Sequence, residues 1–164
     1  MKKFMYMCMM LLATTLTFTA CGSDDDDNGN NGGNNGGNNN QQQGPIEVVQ
    51  DNYYKYQESI DLKNFGTMTC IAEAKFDKGQ CTAMALSYVY PKKSDAQSEW
   101  EGYQNDKDFD PTSFVYDGDK TITYYFDEQT VAAYSTMGKD YICKTLKKAV
   151  QDFINSIRES VGEK

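Results

Sequence analysis

Alternating apolar and polar positions between Thr67 and Phe76 form the clearest pattern in the chain. A period of two predicts a strand with one buried face. The next three residues, Asp77 to Gly79, predict a three-residue hairpin loop with its glycine in the left-handed region, so that Phe76 faces Gln80. The inward positions of both strands should then share one face of a sheet. They are Met68, Cys70, Ala72, Ala74, Phe76, Thr82, Met84, Leu86 and Tyr88.

A second alternation lies on both sides of the segment Asp117 to Lys120. The segment contains Asp, Gly and Lys, which predicts another hairpin. Its register stays open. The apolar positions are Phe114, Tyr116, Ile122, Tyr124 and Phe126.

The segment from Pro45 to Ile60 shows a helical period, with apolar residues at steps of three and four. It predicts a helix that begins near Pro45. Because valine and tyrosine form helices weakly, an extended start is the alternative. The apolar positions are Ile46, Val49, Tyr53, Tyr56 and Ile60.

Two later segments also indicate helices. Ser94 and Gln97 fit a capping box at the start of a short helix. Its apolar face carries Ala96, Trp100 and Tyr103, and we interpret the tryptophan as a core residue rather than a ligand platform. From Asp140 an apolar stripe predicts an amphipathic helix of about twenty residues. Between these segments, Thr130 to Tyr134 fit either a short strand or a helical turn.

This order of elements predicts the fold class. A sheet made of two hairpins has one apolar face that must be covered, and the helices are the covers available. We therefore expect an α+β two-layer sandwich with an antiparallel sheet of about four strands. Residues 45–164 form this single domain, residues 1–20 a signal peptide and residues 21–44 a flexible tether rich in Asp, Asn, Gly and Gln.

Composition excludes several functional classes. The 164 residues carry 16 Lys+Arg, 24 Asp+Glu and no histidine, a formal net charge of −8. Such a chain lacks the excess of positive charge that drives nucleic-acid binding. Without histidine it has no Ser-His-Asp triad and no Cys-His pair. We expect no catalytic residues, no cofactor and no nucleic-acid partner, and a carboxylate hydrolase is the least favoured function.

The end of the leader resembles the lipobox of bacterial lipoproteins. The residues are Phe18-Thr19-Ala20-Cys21, with Phe18 in place of the usual leucine. The resemblance implies that Cys21 receives a diacylglycerol before the leader is cleaved. The following Ser23, Asp24, Asp25, Asp26 and Asp27 are similar to the export signal of Bacteroidetes surface lipoproteins. It implies a protein anchored by lipid in the outer membrane and exposed at the cell surface.

Aromatic residues suggest a binding role for the folded domain. The chain has 12 Tyr, 8 Phe and 1 Trp. Tyrosine gives a rigid, half-apolar contact surface that suits sugars and protein partners. Tyr53, Tyr54 and Tyr125 fall off or at the edge of the predicted core faces and are the candidate ligand-binding residues. We expect a binding or interaction domain for a glycan, a peptide or an envelope protein. The alternative is a structural or inhibitory envelope protein that acts by protein–protein contact.

Two further groups of residues have weaker chemical implications. Asp106, Asp108 and Asp110, followed by Asp117, resemble the ligand spacing of an EF-hand calcium loop. Pro111 occupies the position that needs glycine, so this is a weak calcium candidate and no metal is assigned. Cys70, Cys81 and Cys143 form an odd set. In the predicted register Cys70 and Cys81 face opposite sides of the sheet; Cys143 could reach Cys70, or the thiols stay free.

Overall fold

The computed structural model describes residues 44–106 and 111–161. Its strands are β1 (Ile46–Gln50), β2 (Tyr53–Asp61), β3 (Thr67–Asp77), β4 (Gln80–Val89), β5 (Phe114–Tyr116) and β6 (Thr121–Tyr125). Its helices are α1 (Lys93–Gln104), α2 (Glu128–Ser135) and α3 (Lys139–Ser160), with a 3-10 turn at Pro111–Ser113. The segments and residues predicted as signal peptide, most of the tether, lipidation site (Cys21) and export signal (Ser23 and Asp24 to Asp27) lie outside the described residues, as do Asp108 and Asp110.

The described strands form one antiparallel sheet in the order β1-β2-β3-β4-β6-β5. All three described helices contact the same side of it: α3 on β2 and β3, α2 on β4, and α1 on the β5–β6 end. The α+β two-layer sandwich is therefore confirmed, with six strands in place of about four. The two additional strands come from the segment for which a helix was predicted.

The helix prediction for the segment after Pro45 is wrong. The extended conformation, which was the alternative for the start of the segment, continues through two strands to Asp61. β1 and β2 pair as a hairpin in which Gln50 faces Tyr53. Ile46 and Val49, which a helix would have buried, are 42% and 61% exposed. The buried side chains of β2 follow a period of two instead; they are Tyr54, Tyr56 and Ile60. β-branched and aromatic residues favour such a half-buried pleated surface over a helix.

The β3–β4 hairpin is confirmed, but its turn is shorter than predicted. Lys78 and Gly79 both have positive φ, 49° and 82°, the conformation of a two-residue type I′ turn. Phe76 therefore faces Cys81 rather than Gln80. A β-bulge follows, so that Thr82 points outward and Cys81 inward, opposite to the prediction. Beyond the bulge the inward positions agree with it: Met84, Leu86 and Tyr88.

The helices bury the core side of the sheet. α3 has the predicted length and buries Ile142, Leu146, Val150, Phe153, Ile154 and Ile157. The predicted capping box of α1 is wrong: its N-cap is Lys92 without a side-chain hydrogen bond, and Gln97 donates to Glu101 instead. The uncertain segment before α3 is helical, because Asp127 caps α2 by accepting from the backbone N–H of Thr130.

Candidate functional site

Helices cover one face of the sheet, and no described element covers the other. We call the uncovered side the outer face. It carries the residues that alternate with the buried ones, since successive side chains of a strand point to opposite sides. Its two aromatic residues are Tyr53 on β2 and Tyr125 on β6, both candidates from the sequence. Tyr125 is 50% exposed and Tyr53 is half-buried.

Strand pairing brings these two tyrosines to the same end of the outer face. Tyr53 is paired with Lys75, which is paired with Ala83, and Tyr125 is paired with Ala85. Three strand spacings separate β2 from β6, about 14 Å. The alanines of β4 lie between them. Because a methyl group rises little above the backbone, the sheet forms a shallow trough there, with Tyr125 on one side.

The side of the trough opposite Tyr125 carries charged side chains, one of which accepts a hydrogen bond from Tyr53. The Tyr53 hydroxyl donates to the Glu73 carboxylate. Burial, this hydrogen bond and the charge of Glu73 raise the pKa of Tyr53 to about 12. Lys55 and Lys75 occupy the paired positions beside Glu73 and Tyr53 on this face. The trough therefore combines an exposed ring with a fixed acceptor and two amines.

Tyr54 does not belong to this site, which corrects the prediction from the sequence. Its side chain is fully buried under the helices, and its hydroxyl donates to Glu47 over 3.1 Å. Burial, together with the nearby charge of Glu47, raises its pKa well above the ordinary tyrosine value. The reason is the period of a strand. Neighbouring residues face opposite sides, so Tyr53 and Tyr54 cannot both line one surface.

The middle of the outer face carries no charged side chain. Its hydroxyl groups pair across strands, with oxygen–oxygen distances of 2.8 Å for Ser59 and Thr69 and 2.9 Å for Ser87 and Thr123. We call these uncharged residues the central band, which lies next to the trough. It consists of Gln57, Ser59, Thr69, Ile71, Ser87, Val89, Val115, Thr121 and Thr123. In a chain with a formal net charge of −8, such a band favours neutral ligands.

Trp100 lies at the margin of the core. Its side chain is half-buried and packs against the core cluster, and its ring centroid lies 6.1 Å from that of Tyr116. A helical stripe does indicate that Trp100 lies on the inward side of α1. It does not show how far the β5–β6 hairpin extends beneath the helix, and that distance determines the exposure of the ring.

The calcium candidate is only partly described. Asp117 accepts backbone hydrogen bonds from Asp119 and Thr121, over 2.8 and 3.0 Å, and so closes the β5–β6 hairpin. Partial burial opposes ionisation of this carboxyl, but the hydrogen bonds dominate and lower its pKa. Among the described residues no group of three potential ligands is placed to hold a metal. Because Asp108 and Asp110 lie outside them, calcium binding stays a prediction.

The three described cysteines are free thiols. Cys70 and Cys81 point to the same side of the sheet, contrary to the prediction, because the β-bulge turns Cys81 inward. They still cannot bridge each other. Cys81 pairs with Phe76, six residues or about 20 Å along β3 from Cys70. Burial raises the pKa of the Cys81 and Cys143 thiols, which opposes a nucleophilic role.

No protein-family model, curated protein or solved structure matches this chain. Among the described residues, no helix combines the length and apolar composition that a membrane span requires.

Proposed function

We propose that this chain is a lipid-anchored lipoprotein of the outer membrane, exposed at the cell surface, whose folded domain binds a glycan or peptide on the outer face. The lipobox resemblance at Cys21 and the acidic residues behind it support the anchor and the address. From its composition and length we expect the polar segment 28–44 to act as a flexible tether, with an r.m.s. span of roughly 20–25 Å and a stretched reach of about 60 Å. Such a tether holds a small domain clear of the lipid headgroups.

The position of Tyr53 and Tyr125 on the uncovered side of the sheet is the observation that carries the binding proposal. A two-layer domain needs only one apolar sheet face for its core. Its other face nevertheless presents an exposed ring, a trough floored by alanines and an uncharged band. Rigid aromatic rings next to hydrogen-bonding groups are suited to the apolar faces and hydroxyl groups of sugars, and to peptide side chains.

The chain enters the domain at an edge of the sheet rather than on the outer face. β1 begins at Ile46, directly after the tether, and is the first strand in the sheet order. An anchored domain can therefore present its outer face to a ligand without the tether crossing it.

Alternatives from the sequence gain less support. A partner that adds a strand needs an accessible sheet edge. The two edge strands, β1 and β5, have five and three residues, and short edges are a common protection against such pairing. For a carboxylate hydrolase, a general acid with a raised pKa would be needed. Among the described carboxyls, Asp117 and Asp127 have pKa values shifted in the opposite direction, downward.

The anchor is tested by labelling growing cells with palmitate. We expect the wild-type chain and a Cys143→Ala control to incorporate label, and a Cys21→Ala variant to remain unlabelled. Incorporation by the Cys21→Ala variant would contradict the anchor.

The ligand class is tested by thermal melting of the full-length chain with neutral oligosaccharides, peptidoglycan fragments and Ca²⁺. A ligand at a hundred times its Kd stabilises the fold by about 2.7 kcal/mol. For a domain of this size, the expected shift in Tm is about 10 °C. A cooperative melt that no oligosaccharide or fragment shifts would favour the protein–protein alternative.

A further inference from the structure

A second aromatic surface lies on the helix side of the sheet, where α1 packs against the β5–β6 hairpin. Trp100 and Tyr116 are both half-buried, with ring centroids 6.1 Å apart and an interplanar angle of 33°. Beneath them the buried rings of Tyr103 and Phe114 pack at 5.6 Å. The two outer rings therefore rest on packed core and form a rigid surface. We call this pair the Trp100–Tyr116 surface.

Three exposed carboxylates lie close to Tyr116 in the Trp100–Tyr116 surface. Glu101 follows Trp100 on α1, and Asp117 and Asp119 lie in the loop that joins β5 to β6. The Tyr116 hydroxyl donates to the backbone carbonyl of Asp119 over 2.9 Å, which fixes the ring against this loop. Desolvation and the charges of Asp117, Asp119 and Glu101 raise the pKa of Tyr116.

The local charge is negative on balance. The loop carries one basic side chain, Lys120, against these three carboxylates. Glu101 comes from a helix and the two aspartates from a hairpin loop, so the negative charge is spread over two elements. A ligand that is complementary to this surface carries more than one cation, each with an apolar or planar part that contacts a ring.

We propose that the Trp100–Tyr116 surface binds an arginine-bearing basic segment of a protein partner. A guanidinium group stacks on the face of an aromatic ring, best on tryptophan, while it donates hydrogen bonds to a carboxylate. In this proposal one arginine pairs with Glu101 and a second pairs with the carboxylates of the β5–β6 loop. This surface is separate from the outer face, because it lies on the opposite side of the sheet.

A partner segment can also reach the Trp100–Tyr116 surface when the chain is anchored by lipid as proposed. The chain enters the domain at β1, and β5 is at the other end of the sheet order. Five strand spacings, about 24 Å, lie between them. A partner segment can therefore approach the Trp100–Tyr116 surface away from the point of attachment.

Fluorescence titration of the full-length chain tests this proposal. Trp100 is the only tryptophan among the 164 residues, so its emission reports this surface alone. The probe is a short glycine-spaced peptide with two arginines, compared with versions carrying two lysines, two glutamines or two glutamates. We expect a saturable change with the arginine peptide, a weaker one with lysine and none with the others. The arginine affinity should fall as ionic strength rises.

Charge-neutralising variants decide whether this surface or the overall charge is responsible. Glu101→Gln with Asp119→Asn should raise the Kd of the arginine peptide about five- to tenfold, since each exposed pair contributes up to about fivefold. Glu159→Gln is the matched control, at the exposed end of α3 over β2 and β3. It should leave the Kd unchanged, as should Tyr53→Ala with Tyr125→Ala on the outer face.

Two results would overturn the proposal. The first is an arginine peptide that changes neither Trp100 emission nor the heat of mixing at millimolar concentration. The second is an equal loss of affinity in the Glu159→Gln control, which would mean attraction to the net charge of the whole chain. If the double variant melts below the wild type, the single Glu101→Gln variant replaces it, because that side chain is exposed on a helix surface.

Discussion

The same substitution should have opposite effects at two glycines. Gly79 lies in the β3–β4 turn with φ at +82°, and Gly102 lies inside α1 with an ordinary helical backbone. A Cβ atom added at either position meets no atom within 4 Å. Steric crowding is therefore absent from both sites, and the change in stability comes from the backbone alone.

The expected magnitudes follow from backbone conformation. An L-residue in the left-handed region costs about 1–2 kcal/mol, so Gly79→Ala should destabilise the domain by that amount. Alanine in a helix interior is favoured over glycine by about 1 kcal/mol, so Gly102→Ala should stabilise it. The two variants should differ by about 2–3 kcal/mol, or roughly 10 °C in Tm for a domain of this size.

Urea unfolding followed by circular dichroism measures both variants against the wild type. The midpoints should move in opposite directions at an unchanged slope. Lys78→Gly is a further check on the turn, because Lys78 also has a positive φ of 49° and glycine adopts it without strain. Shifts of the same sign for Gly79→Ala and Gly102→Ala would contradict the left-handed backbone of Gly79. A Lys78→Gly variant that is less stable than the wild type would contradict the type I′ turn and favour a longer loop.

Three other predictions concern the cap, the core and the thiols. Asp127→Ala should lower the Tm at neutral pH, whereas Asp127→Asn should retain the cap. Because hydrogen bonds from Thr130 lower the pKa of Asp127, the extra stability of the wild type over Asp127→Ala should be complete above the unfolded-state pKa of Asp127 and should disappear as the pH falls through its folded-state pKa. A stability difference that does not change with pH would contradict this prediction. Phe153→Ala should lower the free energy of unfolding in urea by about 3–5 kcal/mol, because the Phe153 side chain is 3% exposed and its ring centroid lies 4.9 Å from that of Tyr88. A loss below about 1 kcal/mol would contradict this packing. Cys81 should react with a thiol reagent only as fast as the domain opens, and stoichiometric labelling of the native state within seconds would contradict its burial.

Much of the fold could be predicted because a long alternation of apolar and polar residues indicates a strand with one buried face. From Thr67 to Phe76 every second residue is apolar, and the structure buries those residues. The β1–β2 hairpin was missed because Tyr56 and Ile60 fit a helical and a strand period equally well. Tyr54 distinguishes the two periods, but it falls off the apolar face of the predicted helix and was therefore interpreted as a candidate ligand-binding residue. In the structure Glu47 accepts a hydrogen bond from that hydroxyl, a contact between neighbouring strands that no local pattern indicates.

The turn and the candidate site show where sequence patterns become insufficient. The loop after Phe76 contains one glycine, which suits a three-residue turn; the two-residue turn requires Lys78 to adopt a positive φ, and the resulting bulge reverses Cys81 and Thr82. Tyr53 and Tyr125 were identified as lying off the core faces. Their common position on the outer face depends on β6 pairing with β4, and the register of that hairpin was open.

The most direct test of the proposed function compares three proteins in the presence of the oligosaccharide or peptidoglycan fragment that most stabilises the wild type. They are the full-length chain, its Tyr53→Ala/Tyr125→Ala variant and a Tyr141→Ala control, which removes an exposed ring from α3. The proposal predicts a ligand-induced rise in Tm for the wild type and the control, and none for the double variant. An equal rise in all three would place the ligand elsewhere and contradict a binding role for the outer face.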